Sequence, residues 1–225
     1  MVGCGQQKQN EPVPAEDLYT STYFQLKKRY AEARSQIGED APEGTTPWAI
    51  LSAEHDVLWP SLETEPYNTT IGDLEGEPAP VEPEAYQHTS YPWDEPLYND
   101  RLDFWTRRVH YGLASWLGMK SGFPEENPHC RRLIVLAGDD YVDPLKENDV
   151  FEPFPWETRF PFQEQDFSGI GEQMAWLKEE AEFYEETRNQ DTESRQSSVR
   201  SYREPDLDVP DVDGQSDWND WLEGG

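Results

Sequence analysis

Reactive side chains gather in a few short stretches of this sequence. Gly3-Cys4-Gly5 carries a thiol; Ser52-Ala53-Glu54-His55-Asp56 carries a hydroxyl, an imidazole and two carboxylates; Pro66-Tyr67 and Gly138-Asp139-Asp140-Tyr141 each add a phenol. Histidine titrates near neutrality, so His55, or Glu54 beside it, could act as a general acid or base. Cys4 becomes a thiolate nucleophile if His55 lies next to it; otherwise it is a small packing residue. Ser52 either donates to a ligand or satisfies the backbone of its own loop. Tyr67, turned by Pro66, either stacks on a base or sugar or packs at a rim. Gly3, Gly5 and Gly138 allow close approach of a ligand or a neighbouring backbone. Gly169 and Gly171 flank Ile170 at the start of a predicted helix. Free amides there suit a phosphate or carboxylate, and a tight turn is the alternative.

Some chemistries are disfavoured. Gly3-Cys4-Gly5 is followed by no Gly-Lys-Ser/Thr and lacks the third glycine of a dinucleotide fingerprint. Cys4 and Cys130 are too few for a disulfide framework and lack metal-site spacing. His88, His110 and His129 have no ligand spacing between them, so no metal and no cofactor are expected. Arg107 and Arg108 could reach a phosphate or simply form a solvated helix face.

For these residues to meet, the elements carrying them must end side by side. Met1 to Gly5 reads as the end of a strand, Trp48 to Ala53 as a second, and Arg132 to Gly138 as a third, a continuous aliphatic run suited to cover on both faces. Between them, Ser21 can cap a helix with Tyr23, Leu26, Tyr30 and Ala33 on one face, ending near Gly38. Leu102, Trp105, Val109, Leu113 and Trp116 recur at helical spacing from Asp100 to about Lys120. Alternating strands and helices predict an α/β fold, a three-layer Rossmann-like domain with a mostly parallel sheet. Ligands of such sheets bind outside the carboxyl ends of the strands, where all of these loops would gather.

Residues 1–188 are expected to form this domain, interrupted at about 75–97 by an acidic, proline-rich insertion. Asp143 to Gln165 reads as a second loop, held against the body by Phe151, Phe154, Trp156, Phe160 and Phe162. A last helix spans Ile170 to about Arg188, and residues 189–225 have the composition of a disordered acidic tail. Trp218, Trp221 and Leu222 near its end could dock on a protein partner. The net charge is −29, from 47 acidic against 18 basic residues, and it is spread over the whole chain. That balance, with arginine exceeding lysine, suits a halophilic cytoplasmic protein, soluble by charge repulsion. No apolar run is long enough to span a bilayer, so no membrane partner is expected.

Five ordered segments, "VGCGQQK", "DLYTSTYFQLKKRYAE", "WAILSAEHDVLWP…EPYNTTIGDL", "RLIVLAGDDYVDPL" and "GIGEQMAWL", carry a resemblance. They resemble the motifs of an uncharacterised domain family of halophilic archaea, bacteria and phages, distantly related to the YaaA peroxide-stress proteins. The resemblance implies a compact α/β fold and a place in nucleic-acid or nucleotide metabolism. YaaA relatives are described as DNA-binding proteins that limit oxidative damage, and related domains accompany transglycosylases of modified guanine bases. The family's functional residues fall on Gly3, Cys4, Gly5, Ser52, His55, Pro66, Tyr67, Gly138, Tyr141, Gly169 and Gly171. Relatives often read Ser-Ala-Lys-His-Gly where this chain has Glu54 and Asp56; aspartate can enter the left-handed region that such a turn requires. The expected function is processing of a nucleoside, nucleotide or modified base, with N-glycosidic-bond chemistry. The alternative is non-catalytic nucleic-acid binding in stress protection.

Overall fold

A computed structural model describes residues 1–35, 48–79, 98–116, 132–154 and 157–201. Cys130, His88, His129, Trp156, Trp218, Trp221 and most of the acidic insertion lie outside these. The chain divides into two units, Met1–Arg188 and Asn189–Gly225. Of the second unit the described part is helix, ending at Ser201.

In the first unit, β1 (Val2–Gly3) pairs in parallel with β3 (Ile50–Ser52), Val2 opposite Ile50 and Gly3 opposite Leu51. On its other side, Val2 bridges in parallel to Leu136, and the Gly3 amide donates to the Leu136 carbonyl at 2.9 Å. Leu136 follows β6 (Arg132–Ile134), itself parallel to β7 (Glu157–Arg159). β4 (Asp56–Leu58) runs antiparallel to β3. A separate ribbon pairs β2 (Val13–Pro14) with β5 (Glu63–Thr64). The fold is thus mixed α/β with short strands.

Successive residues of a strand point to opposite faces, and here they belong to two different cores. Leu51, Val135 and Ala137 join a cluster with Trp105, Val109 and Leu113 of α3 (Arg101–Trp116) and with Val142 and Leu145 of α4 (Asp139–Glu147). Val2, Ile50 and Leu136 join another with Leu18 of α1 (Ala15–Leu18), Phe24 and Tyr30 of α2 (Thr22–Ser35), and Leu177 and Ala181 of α6 (Ile170–Ser201). Each fully buried aliphatic contributes roughly 1.5–3 kcal/mol. The strands' outward polar ends are therefore fixed by aliphatic residues one or two positions earlier.

Ser21 caps α2 as expected, accepting the Phe24 amide at 3.2 Å. The helix buries Tyr30 and Ala33 as expected, with Tyr23 and Leu26 half-buried against the same core, and Phe24 and Lys27 are buried beside them, so the face is wider than the sequence spacing shows. The stretch after Ser52 is not an open loop but a tight hairpin into β4, with Ser52 opposite Asp56. Asp143 to Gln165 is not a single loop either; it contains most of α4, then β7 and α5 (Pro161–Glu164). Its Phe151, Phe154 and Phe162 are buried, as an adherent segment requires. α6 continues past Arg188 to Ser201. Among the described residues no helix is long and apolar enough to cross a membrane.

Candidate functional site

The residues following β1, β3 and Leu136 meet. The Cys4 amide donates to the Leu51 carbonyl at 2.9 Å, and the Cys4 Sγ lies 3.0 Å from the Tyr141 hydroxyl in the first turn of α4. Ser52 Oγ accepts the amides of Glu54 and His55 at 3.1 and 3.0 Å. With both lone pairs engaged, its own hydrogen points to the Tyr67 hydroxyl 2.7 Å away. Tyr67 in turn lies 2.6 Å from the hydroxyl of Tyr19. However the two phenols share their hydrogens, the chain Ser52–Tyr67–Tyr19 has one phenolic hydrogen more than it consumes internally. One phenolic donor is left, on Tyr19 or on Tyr67.

Burial raises the pKa of all three phenols well above the ordinary tyrosine value, and negative charge at Cys4 would push each of them higher. They are neutral donors across the accessible pH range. Two lysines face this group. Lys8 Nζ sits 4.3 Å from the ring centre of Tyr67 and 5.7 Å from that of Tyr19, within cation–π range. Lys27 is only 4% exposed, and its ammonium donates to the Gly3 carbonyl at 2.5 Å. Burial lowers its pKa to about 8, against the attraction of Cys4 and Asp140. Tyr19, Ser52 and Lys27 are buried, and Cys4, Lys8, Tyr67 and Tyr141 are half-buried. The cluster is therefore a polar group buried on one side and partly exposed on the other.

His55 rests edge-on against the Tyr67 ring, centres 5.0 Å apart. Burial lowers its pKa, with Glu54 opposing, so the imidazole is neutral at pH 7. Glu54 itself turns away from the cluster, accepting from the Thr69 hydroxyl and lying 3.7 Å from Arg101. Asp56 takes a positive φ of 58°, the left-handed geometry expected of it, and Arg108 donates to its carboxylate. Burial raises the Asp56 pKa, and Arg108 counters it. Beside this hairpin is a cavity of about 410 Å³, lined by residues that include His55, Trp59, Leu62, Arg101, Phe104 and Arg108 but none of Cys4, Tyr19, Tyr67 or Tyr141.

The glycines play unequal parts. A Cβ on Gly3 would come 3.0 Å from that of Ala137, so this glycine lets β1 and the Leu136 segment lie close. Gly5 packs under Ser21, and Gly138 is the exposed residue preceding α4. Pro66 is exposed beside Tyr67. Gly169 and Gly171 are exposed at the start of α6, where the Glu172 carboxylate already takes the Ser168 amide at 2.7 Å. An intrinsic anion thus occupies that helix start. Among the described residues, neither glycine hydrogen-bonds to the cluster.

Sequence reasoning passed over Lys8, Tyr19 and Lys27. Tyr19 had one visible signal, its place just ahead of the Ser21 cap. Lys27 had another, falling three residues after Phe24 and three before Tyr30 on the buried face of α2.

A family of unknown function, DUF6884, matches residues 1–78. That span holds Cys4, Lys8, Tyr19, Lys27, Ser52, His55 and Tyr67, leaving out Tyr141 and all of α3. No curated protein and no solved structure matches the chain.

Proposed function

We propose that the strand-end cluster binds a nucleoside, nucleotide or modified base and acts on its N-glycosidic bond. The observation that carries this reading is the hydroxyl chain Ser52–Tyr67–Tyr19, set beside the Cys4–Tyr141 pair. When a C1′–N bond breaks, its electron pair goes to the base, which then needs a hydrogen-bond or proton donor. The spare phenolic hydrogen is such a donor, and suppressed phenol ionisation keeps it in place. The sugar carbon needs a nucleophile to form the replacing bond. Either the Cys4 sulfur attacks, its proton passing to the departing base and the C1′–S bond then being cleaved by water, or a water attacks directly while neutral His55 takes its proton. Tyr67 faces the sugar or base, Ser52, saturated by its own loop and by Tyr67, only fixes that phenol in place, and Glu54, turned toward Thr69 and Arg101, has no part in the step.

In the same reading, the strands belong to the mostly parallel sheet of a three-layer Rossmann-like domain. The parallel pairings of β1 with β3 and Leu136, and the two cores fed by alternate residues, support it. The quoted motifs support a distant YaaA relationship, and the acidity supports work in the cytoplasm of a salt-rich cell. The test is release of free base from nucleosides and nucleotides in concentrated KCl, measured chromatographically. Activity is expected in the intact chain and is expected to be lost in Tyr67→Phe; loss in Cys4→Ala would assign the attack to sulfur, and loss in His55→Ala with Cys4→Ala active would assign it to water. Salt-dependent DNA binding without any turnover would instead favour the nucleic-acid-binding alternative.

A further inference from the structure

The cavity beside the β3–β4 hairpin shares only His55 with the residues of the chemistry above, and it has room for a ligand of its own. Its volume of about 410 Å³ lies within the range of roughly 300–1,000 Å³ typical of small-molecule pockets. Trp59, Leu62, Leu74 and Phe104 give it apolar walls. Leu62 is 49% exposed, so apolar surface lies open to water there.

The two arginines that line the cavity differ in how far they are engaged. Arg108 donates to Asp56, and its guanidinium carbon lies 5.8 Å from the ring centre of Phe104. Arg101 approaches Glu54 only to 3.7 Å, beyond hydrogen-bond distance, and among the described residues its guanidinium makes no hydrogen bond. The neighbouring carboxylates already have donors of their own. Glu54 accepts from Thr69, and Asp73 accepts the amide and hydroxyl of Thr70 at 2.7 Å each. A guanidinium has five N–H donors in a planar fork that matches a carboxylate or phosphate. Here that fork belongs to a cavity of mixed lining, in which apolar walls stand beside Glu54, His55, Asp56 and Arg108.

We propose that this cavity binds a small molecule joining a planar apolar ring to one carboxylate or phosphate group, with Arg101 as partner of the anion. Glu54 limits the affinity, because its charge competes for the same guanidinium. Trp105 forms the partition toward the strand-end cluster: its indole N–H donates to the Ser52 carbonyl at 2.8 Å, and its ring stands edge-on to Tyr141 at 6.0 Å. The site therefore adjoins that cluster and shares His55 with it, while Arg101 and the apolar walls lie outside it, so variants at Arg101 and Cys4 test the two apart.

Isothermal titration of the full chain with phenyl phosphate, inorganic phosphate and benzyl alcohol, in the lowest KCl that keeps it folded, tests the proposal. Phenyl phosphate is expected to bind, with each half-probe weaker by about tenfold or more, about 1.4 kcal/mol. Arg101→Gln should weaken phenyl phosphate by a similar factor, Glu54→Gln should tighten it, and Cys4→Ala should leave it unchanged. A gain of affinity in Glu54→Gln cannot come from misfolding. Absence of binding, equal affinity of Arg101→Gln and the parent chain, or loss on Cys4→Ala would overturn the proposal.

Discussion

Tyr67 sits at the middle of the hydroxyl chain, so its oxygen serves two partners at once. Tyr67→Phe leaves the Ser52 hydrogen without an acceptor and Tyr19 without its partner. An unsatisfied buried polar group costs about 1–3 kcal/mol, so the denaturation midpoint of this variant should fall by that equivalent in a urea titration. Lys27 gives a pH signature. It is held near 8 in the fold, against 10.5 for an unperturbed lysine. Below about 8 both states are protonated, and the cost of burying the ammonium is fully present. Between about 8 and 10.5 the unfolded chain binds a proton that the folded chain does not, so stability from this residue rises with pH. The stability of the parent chain relative to Lys27→Met should therefore climb from pH 8 to pH 10, and parallel profiles would refute the assignment. The lysine was hard to read from sequence because a charged residue on a helix normally marks the solvated face. Here the Gly3 carbonyl and the rings of Tyr23 and Phe24, 4.8 and 5.9 Å away, make its burial possible.

Among the elements, α3 lies close on β4 because Gly112 has no side chain. A Cβ there would meet Val57 Cγ2 at 2.8 Å, and the branched Val57 has few rotamers with which to retreat. Gly112→Ala should cost about 1–3 kcal/mol through overpacking, and Val57→Ala should recover much of it in a double-mutant cycle of thermal stability. Additive losses would count against this contact. β1, β3 and α3 were legible because aliphatic runs and helical spacing are strong periodic signals. β4 and β7 were not, since strands of three residues with polar ends show no period: Asp56-Val57-Leu58 reads as loop until Ser52 and Asp56 are seen to pair. The meeting of Cys4 with Tyr141 was legible as soon as the strands were taken to end together. Its extension to Tyr19 was not, because that residue is brought in by the end of α1 and its bridge to Lys8 rather than by the end of a sheet strand.

At the scale of the molecule, the charge of −29 sets the conditions under which any of this operates. Self-repulsion opposes the compact state at low salt, and screening shortens to about 3 Å at molar ionic strength. The thermal midpoint is therefore expected to rise steadily with KCl toward molar concentration, and a flat response would contradict salt adaptation. The central claim is that remote segments of the chain frame one ligand, with Cys4 on one side and Tyr67 on the other. Its most direct test is the rate of Cys4 alkylation by iodoacetamide in a Cys130→Ser background, with and without nucleosides, read by mass spectrometry in concentrated KCl. A nucleoside should slow alkylation in that chain, and Tyr67→Phe should abolish the protection. An alkylation rate indifferent to every nucleoside, or protection that survives Tyr67→Phe, would contradict the claim.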